Sequence, residues 1–95
     1  MKVIKDLIVR EIAGEYILIP TGEAALKIHG IVNLSESGYL LWNKMRSDCT
    51  EDELVEAILD EYDVDRETAV QDIRSFIEKM KKIGILENDE ERTDV

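Results

Sequence analysis

Between Leu34 and Ser35 the chain changes its period, and that switch limits the possible folds more than any other feature. Before it, β-branched residues gather in short runs bounded by glycine and proline; after it, apolar residues recur at three- and four-residue spacing. Ile31-Val32-Asn33-Leu34 reads as the end of a strand. Ser35 reads as a helix cap, because its hydroxyl can accept a hydrogen bond from an otherwise unpaired amide of the first turn. The chain therefore joins a small sheet to a helical half.

Upstream of the switch, Leu7 to Ile12 and Glu15 to Ile19 are rich in β-formers, and Ala13-Gly14 between them reads as a hairpin turn. Pro20-Thr21-Gly22-Glu23 then punctuates the chain, and Ala25 to Asn33 is expected as a third extended segment, with Gly30 as a bulge or close-approach point. Short connections imply an antiparallel meander. Side chains alternate across a strand, so if Leu34 enters the core, Val32, Gly30, Ile28 and Leu26 share its face, and Lys27, His29, Ile31 and Asn33 point the other way unless a bulge at Gly30 resets the alternation.

Downstream, a helix is expected from Ser35 to about Arg46, with Leu41, Trp42 and Met45 as its apolar stripe. Gly38 in its first turn costs roughly 1 kcal/mol of propensity against alanine, which close backbone packing would justify. Thr50-Glu51-Asp52-Glu53 is a capping-box pattern that opens a second helix bearing Leu54, Val55, Ile58, Leu59 and Tyr62. Asp65 caps a third and longest helix, in which Ala69, Val70, Ile73, Phe76, Ile77 and Met80 share a face and Lys79, Lys81 and Lys82 complement the dipole at the C-terminal end. Gly84 ends it, and Ile83, Ile85 and Leu86 fold back on the core. Residues 1–86 thus make one domain, and 87–95 are expected to form an acidic disordered tail.

Charge narrows function. The net charge is −10, and all of it lies beyond Leu34, since four bases and four acids balance in residues 1–34. Affinity for nucleic acid depends on Lys and Arg neutralising phosphates, so this distribution argues against a nucleic-acid partner. Cys49 is the only cysteine and His29 the only histidine, which excludes a disulfide framework and a Cys/His zinc site within one chain. No apolar run approaches the roughly 20 residues that span a bilayer, and no secretory signal is evident, so a cytoplasmic protein without a membrane partner is expected. Acidic clusters at Glu51-Asp52-Glu53 and Asp60-Glu61 lack the spacing of a calcium loop and read as solvated helix faces and caps. Cys49 reads as an incidental surface thiol in a polar turn, His29 as an exposed strand residue and Trp42 as core. No nucleophile elbow or phosphate loop is present, so neither catalysis nor a cofactor is expected.

Arg10-Glu11-Ile12-Ala13-Gly14-Glu15, Leu34-Ser35-Glu36-Ser37-Gly38 followed by Trp42, Tyr62-Asp63-Val64-Asp65 and Ile83-Gly84-Ile85-Leu86 together resemble the landmarks of PqqD-like domains over about Leu7 to Leu86. Ser35 stands where that family usually has Asn, and the third strand carries an extra glycine, Gly30. The resemblance implies an α+β, winged-helix-like fold, a three-stranded antiparallel meander followed by three helices. It also implies a non-catalytic chaperone for the leader segment of a ribosomally made precursor peptide, serving a peptide-modifying enzyme, commonly of the radical S-adenosylmethionine class. In such domains the leader adds as a strand beside the third strand and lies against the third helix, the mode called β-augmentation. Carried onto this chain, the peptide-binding residues are Lys27, Ile28, His29, Gly30, Ile31, Val32 and Asn33 on the edge, and Val70, Ile73, Arg74 and Ile77 on the helix. Arg74 would pair with an acidic leader side chain or, on the plainer reading, with Glu78 one turn on. An edge that accepts a peptide can also pair with its own copy, so a homodimer is a further expected partner. The competing reading of the same element order is a winged-helix transcriptional regulator, which the acid surplus opposes.

Overall fold

A computed structural model describes residues 1–28 and 31–86. The order is β1 (Leu7–Ile12), β2 (Glu15–Pro20), α1 (Ala24–Lys27), β3 (Val32–Leu34), α2 (Glu36–Lys44), α3 (Glu51–Glu61) and α4 (Arg66–Ile83). The strands form an antiparallel sheet in the order β1-β2-β3, and among the described residues no strand pairs with the outer side of β3. The expected α+β meander is present. The tail expected at 87–95 lies outside the described residues, as do His29 and Gly30.

The hairpin turns at Ala13 and Gly14, with φ of 53° and 82°. Two consecutive left-handed residues are what a two-residue turn needs if it is to follow the twist of its strands. Register then fixes the faces. Val9, Leu18 and Val32 form one cross-strand row toward the helices, while Arg10, Ile17 and Asn33 form a row on the opposite face.

The third extended segment is shorter than expected. Ala24-Ala25-Leu26-Lys27 coils into α1, with Leu26 N–H donating to the Glu23 carbonyl and Ile28 N–H to the Ala24 carbonyl. Two alanines, a leucine and a lysine are good helix formers, and Thr21 and Gly22 supply the carbonyls that start the turn. Lys27 therefore belongs to a helix and not to the sheet edge. The face assignment holds for Ile28, Val32 and Leu34, which are all buried, but not for Leu26, which is 82% exposed because the helical turn resets the alternation.

The helical half follows its caps. The Ser35 hydroxyl accepts from Gly38 N–H, Thr50 and Glu53 complete a reciprocal capping box, and the Asp65 carboxylate accepts from Thr68 N–H at 2.8 Å. Gly84, at φ 96°, closes α4: its amide donates to Lys81 and Met80, and Ile85 N–H reaches back to the Met80 carbonyl. That turn delivers Ile85 and Leu86 into the core. Leu18, Met45, Leu54, Ile73 and Met80 are fully buried at its centre, each contributing roughly 1.5–3 kcal/mol by leaving water.

One closure joins the two ends of the described chain. Val3 bridges Leu86, Val3 N–H donates to the Met45 carbonyl, and Ile4 N–H donates to Ile85 at 2.7 Å. Cys49 is drawn into this closure through its amide, which donates to the Met1 carbonyl. It is buried, not the surface thiol expected, and burial raises its pKa against the opposing pull of the Met1 ammonium. Among the described residues no helix is long and apolar enough to cross a membrane.

Two stability predictions follow from these local geometries. Ala13→Asn should stabilise the domain by up to about 1 kcal/mol in urea denaturation, because Asn tolerates the left-handed conformation that strains alanine. Asp65 is held below its ordinary value of 3.8 by its hydrogen bonds to Thr68, so its stabilising effect is complete above that value and is lost as pH falls through the lower folded value. The melting temperature of wild type should accordingly exceed that of Asp65→Asn at neutral pH, and the gap should close below about pH 4. A gap that stayed constant through acidification would show that the charge is irrelevant to the cap.

Candidate functional site

A groove of about 490 Å³ opens beside the end of β3. Asn33 and Leu34 form its strand side, Ser37 and Gly38 of α2 its floor, and Phe76 with its neighbours on α4 the opposite wall. Tyr62 and Val64, from the turn between α3 and α4, close one end. The groove owes its position to the period switch. Because Ser35 caps α2 immediately after β3, the first turn of α2 lies directly below the strand end, and Gly38 is the residue that reaches α4.

Gly38 is buried in α2, as close packing would require, yet the geometry is not tight. A Cβ placed on it would lie 3.4 Å from Phe76 Cε1, 3.4 Å from Ser35 Oγ and 3.5 Å from Leu34 Cδ2, which is ordinary van der Waals contact. All three neighbours line the groove. Gly38 thus packs closely against α4, as expected, and its missing side chain leaves room in the groove without being forced by a clash.

The α4 wall is rotated from the expected one. The residues presented to the groove are Asp72, Phe76 and Lys79, four and three residues apart on one helix face, together with Ser75 and the edge of Ile73. Val70 and Ile77 pack with the core instead, and Ile73 is fully buried. Arg74 points to α3, where its Nε and Nη2 donate to the Glu51 carboxylate at 3.3–3.4 Å. That partner is neither Glu78 nor anything in the groove.

Of the edge residues proposed from sequence, Asn33 lines the groove, Ile31 is 64% exposed beside it in sequence, and Ile28 and Val32 turn their side chains into the core. Residues that sequence reasoning did not assign to a site include Gly38, Tyr62, Asp72, Phe76 and Lys79. The available signal was position within the apolar stripe of α4: Phe76 lies at its edge, on the side of Asp72 and Lys79, so its ring packs on the core and also reaches the groove.

Aromatic residues and carboxylates frame the Leu34 end. Tyr16, which pairs with Leu34 across the sheet, stacks on Tyr39 with ring centroids 4.0 Å apart, and Tyr39 continues onto Trp42, over which Arg46 sits at 5.4 Å. Trp42 is 3% exposed and structural, as the sequence indicated. Burial, then the negative charges of Glu36 and Glu61, raise the pKa of Tyr62. Burial raises that of Tyr16, reinforced by Glu11 and Glu36. Glu36 thus faces both tyrosines and lends negative potential to this end of the groove.

A family model described as coenzyme PQQ synthesis protein D (PqqD) matches residues 15–86. A search of curated proteins finds no match. Among solved structures, the chain is similar to "TbiB1 in Complex with the TbiA(beta) Leader Peptide", with a TM-score of 0.74 and 26% identity over 93% of this chain and 96% of that one. It also shares the fold of "Lasso peptide synthetase B1 complexed with the leader peptide", with a TM-score of 0.69 and 15% identity over 88% of this chain and 93% of the other.

If Gly38 serves the groove and not the packing of the helix, Gly38→Ala should keep the fold and raise stability by up to roughly 1 kcal/mol, since alanine is the better helix former. Thermal denaturation checks this. A fall of several degrees in melting temperature would show that the backbone contact is tighter than described.

Proposed function

The chain belongs to the PqqD family, and from that premise we propose that it binds the leader segment of a ribosomally synthesised precursor peptide and presents it to a modifying enzyme. The observation that carries the proposal is the juxtaposition of an unpaired strand edge and an apolar groove. β3 offers main-chain donors and acceptors on its free side, and the groove between Gly38 and Phe76 lies where alternate side chains of an added strand would descend. Main-chain pairing supplies affinity regardless of sequence, and the groove supplies selectivity. Similarity to TbiB1, whose structure holds a leader peptide, supports the same reading.

In this proposal the domain contributes no catalytic group. Its one cysteine, Cys49, is buried with its thiol pKa raised, and in this reading the chemistry rests with the partner enzyme, which we take to be of the radical S-adenosylmethionine class, acting in the cytoplasm. The binding residues of the proposal are Asn33 on the strand side with the exposed Ile31 just before it in sequence, Gly38 in the floor, and Ile73 and Phe76 on the wall. Arg74 is left to its ion pair with Glu51.

Titrating the isotope-labelled chain with the precursor peptide encoded beside it should move the resonances of Asn33, Leu34, Gly38 and Phe76 first. Gly38→Leu should weaken binding at least tenfold without loss of the folded spectrum, because the new side chain occupies the groove. Shifts confined to β1, or full affinity in Gly38→Leu, would overturn the assignment.

A further inference from the structure

The groove carries two unpartnered charges of opposite sign at its two ends. Asp72 and Lys79 both line it, both are exposed, and neither has an ion-pair partner among the described residues. They lie seven residues apart on α4, about 10 Å along the helix axis, with Phe76 between them.

The polarity of α4 relative to β3 fixes which end is which. Gly84, just past the C-terminus of α4, stands over Ile28, whose Cγ1 lies 4.0 Å from where a Gly84 Cβ would be, whereas Phe76 in mid-helix stands by Gly38 and Leu34. Helix and strand therefore run in opposite directions. Lys79 lies toward the start of β3, with Lys82 and Glu78 sharing the adjoining shallow surface. Asp72 lies toward its end, where Glu36 adds a second negative charge beside Tyr62.

Resting on the leader-binding proposal, we infer that this chain selects leader segments by charge order: a basic residue first, an apolar residue two positions later, and an acidic residue two positions after that. Antiparallel pairing, the more stable mode, makes an added strand run from the Leu34 end toward the Val32 end. Its N-terminal part then meets Asp72 and Glu36, and its C-terminal part meets Lys79. Residues two apart share a face, so three such positions span about 13 Å, which matches the Asp72 to Lys79 separation once the reach of the side chains is included. The central position falls between Gly38 and Phe76, where apolar bulk fits. A parallel strand would need the reverse order, so the same charges also dictate strand direction.

The test is selection of a displayed library of random twelve-residue peptides on the wild-type chain and on an Asp72→Lys, Lys79→Glu double variant. Both positions are exposed, and circular dichroism verifies that the variant is folded. Recovered peptides are resynthesised with and without exchange of their basic and acidic residues. We expect the wild type to enrich basic-x-apolar-x-acidic sequences and to bind them about tenfold more tightly than their exchanged forms at low salt, with the preference shrinking as salt rises. The variant should invert that preference. Peptides that bind the groove equally well in either order, or a variant with unchanged preference, overturn charge-order selection while leaving leader binding intact. Recovered peptides that perturb residues outside the groove, or no enrichment on either protein, overturn the leader-binding proposal and this inference with it.

Discussion

The structure depends on how α4 divides its circumference. Ala69, Ile73, Ile77 and Met80 form the stripe that seals the core, and the fully buried Ile73 and Met80 anchor the helix against the sheet and the other helices. Once that stripe is committed, the flanking faces are fixed by the 3.6-residue period. One flank turns toward α3, where Arg74 meets Glu51, and the other turns toward the end of β3, where Asp72 and Lys79 are exposed and Phe76 packs against the core while lining the groove. The candidate site is thus a by-product of core packing. A shift of α4 by one residue would move Phe76 away from Gly38 and remove the wall of the groove.

Gly38 shows how a local penalty is tied to that arrangement. In the first turn of α2 it sacrifices helix propensity, and the Ser35 cap and the stacked Tyr16, Tyr39 and Trp42 offset the loss by holding both ends of the turn. What the missing side chain gives is space in contact with Leu34 and Phe76, at the one point where strand, α2 and α4 converge. Stability and groove volume therefore pull in opposite directions at this residue.

Features decided within a few residues were legible in the sequence. The Ala13-Gly14 turn, the caps at Ser35, Thr50 and Asp65, the Gly84 terminus and the alternation of Ile28, Val32 and Leu34 all follow from neighbours along the chain. Features decided by distant partners were not. The segment from Ala24 to Lys27 has enough β-like context to read as extended, yet its helix formers close a turn on Thr21 and Gly22 before the strand begins. The partner of Arg74 is on another helix, whereas sequence spacing offered only Glu78. The burial of Cys49 and Val3 depends on a closure between chain ends that no local pattern announces.

An open strand edge can pair with a peptide or with a second copy of the domain, and the same features bear on both. β3 pairs with β2 over only three residues, so a second copy of the domain would gain a short ladder there, and brevity is itself a way of blunting an edge. Two copies each carrying a net charge of −10 repel as they approach. A peptide strand can extend past the ends of β3, and its alternate side chains can reach the groove beside the edge. On the proposed reading the groove adds selectivity to a weak edge: the ladder is only three residues long, and a segment that also fills the space between Gly38 and Phe76 gains contacts that pairing alone does not supply.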